Sequence, residues 1–171
     1  MKDTIRTLLA QLVSSDEGKN WYIPDRFESV TRDQLPSQIK ILKSPPSPEK
    51  NYNCFIYVLG LTEEQNIIAE THGFLYQSFF KKIISKSKIQ QLDKAQPGAI
   101  IAYHNGSEIT HIGIIQPDNS VISKWSWGPL IQHEIFDVPD YYGDVVTYYK
   151  NISTRDAIKI YKKYKNFNLK K

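Results

Sequence analysis

Residues 97–115, PGAIIAYHNGSEITHIGII, hold two isoleucine-rich runs on either side of a His104-Asn105-Gly106 turn signal. β-branched and aromatic residues suit a pleated, half-buried surface, and Asn-Gly between two such runs marks a hairpin. Two further runs of the same character follow, SVISKWSW at 120–127 and DVVTYYK at 144–150. Turn signals at Pro117-Asp118-Asn119 and Tyr142-Gly143 separate them. The second half of the chain is therefore expected to form an antiparallel sheet.

Upstream of Pro97 the pattern is helical. Residues 4–13, TIRTLLAQLV, have the spacing of a short amphipathic helix. From Asp16 to Pro48 the expectation is loop and extended chain wrapped on the domain, because Pro24, Pro36, Pro45, Pro46 and Pro48 interrupt regular structure. NCFIYVLG at 53–60 reads as a buried helix with Asn53 as N-cap and Gly60 as its stop. Residues 61–86 continue as helix with a break at Gly73, and Lys88 to Gln96 is polar. Ser153 is placed to cap a last helix over 154–167. Helices first and an antiparallel sheet second make an α+β fold. The expected organisation is one domain over 1–171: an N-terminal helix and Pro-rich wrapping segment (1–50), a core (51–150), and a C-terminal helix with a basic tail (151–171).

The bulk composition fits that reading. At 171 residues, 40% apolar and 23% charged, the chain is an ordinary globular domain with enough length to bury a core. The net charge is only +4, and its one basic cluster (Lys162, Lys163, Lys165, Lys170, Lys171) reads as a solvated helix end, so no nucleic-acid partner is expected. No apolar run reaches the ~20 residues of a membrane span, and the first residues lack the apolar stretch of a secretory signal. The expected location is the cytoplasm, or export without a classical signal peptide, with no membrane partner. Nothing in the residues fixes an oligomeric state. A lone cysteine rules out an intramolecular disulfide.

That cysteine carries the chemistry. Thiols attack carbonyls as thiolates, and a helix N-terminus together with an imidazole favours the thiolate. Cys54 directly follows the Asn53 cap, and His111 opens the strand HIGII, where it is a candidate general base. A small buried core residue is the bland alternative for a lone cysteine, as a strand-edge polar residue is for His111. His104 lies in a turn and His72 near a helix end, whereas His133 sits on a later segment able to fold back. An oxyanion site would use the Cys54 N–H with Tyr52 or Asn53 as side-chain donors, although capping explains Asn53 equally well. Trp125, Trp127, Tyr141 and Tyr142 are cleft-lining candidates, with core packing as the alternative. There is no metal-ligand spacing and no Gly-rich phosphate loop, so neither metal nor cofactor is expected.

NCFIYVLG, then PGAIIAYHNGSEITHIGII, then SVISKW, resembles the NlpC/P60 and CHAP branches of the papain-like cysteine hydrolases over about residues 51–150. Those proteins start a buried helix with the cysteine and pack it on an antiparallel sheet. A PGD(I/V) strand follows, then an HVGI strand with the histidine, then a strand with a third polar residue. Here PGAII stands for PGDII, and HIGII matches the histidine strand. The resemblance implies cleavage of a peptide, protein or peptidoglycan-like amide through a Cys54 thioester with His111 as base; deamidation or acyl transfer would use the same steps. It puts Ser123 in the third position, where the family carries His, Asn, Gln or an acid. His133 or a backbone carbonyl are the other options for that role. Without a strong third residue, a non-enzymatic interaction module on the same scaffold is the alternative. Lys124, beside Ser123, is a donor only and fits binding of a carboxylate rather than orientation of an imidazole.

Overall fold

A seven-stranded sheet organises the chain: β1 (Lys40–Lys43), β2 (Gln91–Leu92), β3 (Ile100–Asn105), β4 (Glu108–Ile115), β5 (Val121–Lys124), β6 (Leu130–His133) and β7 (Val145–Tyr149). The computed structural model describes residues 2–14, 19–86 and 89–166. The strand order is β1-β6-β5-β4-β3-β7-β2, and every neighbouring pair is antiparallel. The hairpin that the Asn-Gly signal predicts is formed: Asn105 pairs with Glu108 around Gly106-Ser107, and Gly106 takes φ 59°. The helices and this sheet make the fold α+β, as expected.

Both faces of the sheet are covered, which is why β3 reads as an unbroken apolar run rather than an alternating one. Ile100 and Ala102 point into a cluster with Ile112, Phe55, Phe79 and Phe80. That face is closed by α4 (Cys54–Val58), α5 (Gln65–Thr71), α6 (Gln77–Lys86) and α7 (Thr154–Tyr164). Ile101 and Tyr103 point the other way, into a cluster with Leu9, Trp21, Phe27, Trp125 and Tyr142. Full burial of each large side chain stabilises the fold by roughly 1.5–3 kcal/mol, so both clusters contribute substantially.

The Pro-rich N-terminal segment is more regular than its prolines suggest. After α1 (Lys2–Ser14) come α2 (Lys19–Tyr22) and α3 (Pro24–Arg26), which runs on through a π-turn at Phe27–Thr31 and a 3-10 turn at Arg32–Gln34. Pro24 occupies the first turn of α3, where a missing N–H costs nothing. Trp21 stacks on Trp125 at 5.9 Å and donates its Nε1–H to the Trp125 carbonyl at 3.0 Å. Gly128 permits that approach, since a Cβ there would lie 1.9 Å from Trp21 Nε1.

The expected strand 120–127 stops at Lys124, because Ser126 turns the chain with φ 51°. The chain then returns as β6, a strand the turn-rich spacing had hidden. Helix 61–86 divides at His72 and Gly73, both at positive φ. Ser153 caps α7 by accepting from Asp156 N–H. The expected helix end at Phe167, the lysines Lys170 and Lys171, and Asp16 and Lys88 lie outside the described residues. Among the described residues no helix is long and apolar enough to cross a membrane.

Candidate active site

Asn53 builds the site from its cap. Its side chain accepts from Ile56 N–H and Leu75 N–H, both at 3.3 Å, and its Nδ2 donates to the Leu75 carbonyl at 2.7 Å. Its own N–H donates to the Gly73 carbonyl at 2.9 Å. Asn53 therefore fixes the start of α4 against the 73–75 turn, and its side chain is committed to capping. Cys54 is the first residue of that helix and is 5% exposed.

The Cys54 thiol lies against backbone N–H groups of Ile112, Phe55 and Cys54 itself, which favour a sulfur anion there. Ile112 follows His111 in β4; among the described residues no hydrogen bond joins Cys54 to His111, and the link between them is Tyr142, which stacks on His111 and feels the charge of Cys54. Burial opposes the anion more strongly, pushing the thiol up to about 12. The nearby Lys124 ammonium counts among the groups that pull it back down. The resting state is a protonated thiol.

His111 is 1% exposed and stacks face to face on Tyr142, with centroids 4.2 Å apart and planes 3° apart; Tyr103 lies 5.6 Å away. Burial, and secondarily the charge of His133, hold its pKa well below the ordinary imidazole value, so the ring is neutral. Its Nε2 is buried without a hydrogen-bond partner. Tyr142 is held in place from several directions. Thr110 Oγ1 donates to its carbonyl at 2.6 Å, and Arg6 of α1 donates to the carbonyls of Val138, Asp140 and Gly143. Gly143 is required there: its φ is 90°, and a Cβ would lie 1.8 Å from the His104 carbonyl oxygen.

Ser123 is not brought to His111. Its Oγ lies 2.8 Å from His133 Nε2 and accepts from Trp125 Nε1 at 2.9 Å. His133 in turn has its Nδ1 on the Glu134 carbonyl at 2.6 Å, and burial lowers its pKa to about 4. Trp125 is fully buried, stacked on Trp21, so it packs the core instead of lining an open cleft. Tyr52 is half-buried and carries the Lys124 Nζ over its ring, 4.9 Å from the centroid. His72 is exposed at the end of α5, and His104 Nε2 contacts Thr147 Oγ1 at 2.8 Å.

The roles of two residues at the site, Tyr142 and Lys124, differ from those the sequence suggested. Tyr142 sits in an irregular segment, and no periodicity points it at His111. Lys124 had a readable mark, a lysine in a mostly apolar run that includes Val121, Ile122 and Trp125, whose stem and charge must both be placed in the interior. Among the described residues no group of three or more His, Cys, Asp or Glu side chains could hold a metal ion.

The model of a domain of unknown function (DUF7689) matches residues 43–150, more than half of the chain and the segment that holds Cys54, His111, Lys124 and Ser123. No curated protein and no solved structure matches the chain.

Proposed function

The chain belongs to the DUF7689 family, and we propose that it is a papain-like thiol hydrolase that cleaves an amide through a Cys54 thioester, with His111 as the base of the cycle. The observation that carries this reading is the seat of the Cys54 thiol: first residue of an Asn53-capped helix, facing the N–H of Ile112, next to His111. The N–H groups around the sulfur are also suited to an oxyanion forming on an acyl group bound there. The substrate class is a peptide, protein or peptidoglycan-like amide, and the site of action is the cytoplasm, or beyond it after export without a classical signal. A second reading, an interaction module on this scaffold, draws on one observation: the imidazole that would carry the proton has no partner at Nε2.

The test uses an activated ester. With p-nitrophenyl acetate the protein should release a burst of p-nitrophenol, and intact mass should show one acetyl group on Cys54. Cys54→Ala should abolish both. That variant should still fold, at a cost of about 1 kcal/mol for the lost sulfur. A folded wild-type protein that never acylates, or an undiminished burst from Cys54→Ala, excludes thiol catalysis and leaves the module.

A further inference from the structure

Lysine is almost never fully buried unless its charge is paired. Lys124 is 1% exposed, and among the described residues no carboxylate pairs with it. Its Nζ donates to the Gly128 carbonyl and lies over the Tyr52 ring, both neutral partners. Sheet register places it within electrostatic reach of the thiol. Ser123 pairs with Gly113, so Lys124 is the next residue along, beside Ile112, whose N–H faces the Cys54 sulfur. Tyr52, under the ammonium, stands two residues before Cys54.

We propose that Lys124 activates the nucleophile: its amine takes the proton of the Cys54 thiol, and the resulting ammonium holds the thiolate. This rests on the Cys54 thioester reading above. One proton moves from Sγ to Nζ, leaving thiolate and ammonium with no change in net charge. The thiolate attacks the carbonyl carbon and the C–S bond forms. As the C–N bond breaks, the ammonium returns its proton to the leaving amine. His111 then takes a proton from the water that attacks the thioester, and gives it back to the sulfur as the C–S bond breaks.

The division of labour follows from electrostatics. An imidazolium at His111 would have no acceptor at Nε2 and would sit near His133. A thiolate beside an ammonium compensates both buried charges at once. Burial brings the Lys124 ammonium down to about 7, so a neutral amine is available at neutral pH. The other titratable groups on the surrounding elements lie elsewhere. Tyr52 and Tyr57 around α4, and Tyr141 and Tyr142 in the 140–142 turn, are raised; His111 on β4 and His133 on β6 are lowered. Asp140, in the same turn, is exposed.

Because the chain has one cysteine, iodoacetamide alkylation read by intact mass reports Cys54 alone. Wild type should show an alkylation-rate profile with an inflection near neutral pH. Lys124→Met should lose that inflection and alkylate at least ~10-fold slower at pH 8, whereas His111→Phe should retain it. An inflection that survives in Lys124→Met, or that disappears in His111→Phe, overturns the proposal. A second measurement leaves the lysine in place: in protein labelled with 13C at lysine Cε, the Lys124 titration midpoint should move by at least ~0.5 pH unit between wild type and Cys54→Ala. Identical midpoints overturn it. A Lys124-dependent profile without acylation by the ester sinks the hydrolase and keeps the pair; acylation that ignores Lys124 keeps the hydrolase and sinks the pair.

Discussion

Ser123 serves His133 and not His111: its Oγ lies 2.8 Å from His133 Nε2. The direction of each bond is fixed by elimination. His133 Nδ1 faces a carbonyl, which only accepts, so Nδ1 carries the proton and Nε2 accepts from the Ser123 hydroxyl. The Ser123 oxygen then accepts from Trp125 Nε1–H at 2.9 Å. The chain of donors links β5, β6 and the Trp21–Trp125 stack, so it is a device of the core.

Ser123→Ala should therefore damage stability before chemistry. It strands Trp125 Nε1 and His133 Nε2 in the interior, at about 1–3 kcal/mol for each unsatisfied group. Denaturant unfolding should show a loss on the order of 3 kcal/mol. The rate of Cys54 acylation, read well below the melting temperature, should stay within roughly 3-fold of wild type, a barrier change of under ~1 kcal/mol. An unchanged midpoint with acylation lost would return Ser123 to the catalytic machinery.

His133 makes the fold acid-sensitive. Buried and neutral, it has a pKa of about 4 in the folded chain, against ~6.5 unfolded. Between those values the unfolded state binds more protons, so stability is complete above pH ~6.5 and is lost as pH falls toward 4. The difference amounts to on the order of 3 kcal/mol at the acid end. His133→Gln should flatten the slope of unfolding free energy against pH between 6.5 and 4, whatever its cost at neutral pH. A slope equal to that of wild type would mean His133 is not the group responsible.

Asn53 is the point at which a sequence signal and a structural role coincide. Removing its side chain leaves the α4 start uncapped and frees both Leu75 backbone groups. The cap alone contributes about 1 kcal/mol, and the buried bonds to Leu75 add to it. Asn53→Ala should cost roughly 2–4 kcal/mol by denaturant titration, with acylation lost in proportion because Cys54 rides on that helix. Asn53→Ser, which keeps the capping acceptor, should recover about 1 kcal/mol of the loss. No recovery would show that the Leu75 carbonyl contact dominates.

The parts of the fold that were legible are those with local causes. Asn53 and Ser153 cap helices because their side chains bond their own first turn, and Gly106 makes a hairpin because Asn105 and Glu108 are neighbours on either side of it. Trp21 and Arg6 act across more than a hundred residues of sequence, on Trp125 and on the Val138–Gly143 segment, and no spacing rule reaches that far. The same contrast holds at the site. Cys54 and His111 stood out by their positions on elements, whereas the partners of Ser123 and Lys124 were decided by β6 and by the turn at Ser126, neither visible in the pattern.

His111 offers the sharpest separation of stability from function. Its Nε2 is buried with no partner, a condition that costs about 1–3 kcal/mol relative to a satisfied or apolar group. Its ring otherwise behaves as an aromatic core residue, stacked on Tyr142 and packed near Tyr103. His111→Phe keeps the flat ring and the stack and removes the stranded nitrogen. Phenylalanine is slightly larger, and overpacking offsets part of the gain. The variant should unfold at higher denaturant, by about 1 kcal/mol, while turnover of the acetylated Cys54 intermediate stops after the first burst. Such an outcome identifies His111 as a residue retained for chemistry at the expense of the fold. A loss of more than about 2 kcal/mol would instead show that Nε2 is satisfied in solution, by a water or another group, and that His111 is first of all a structural residue.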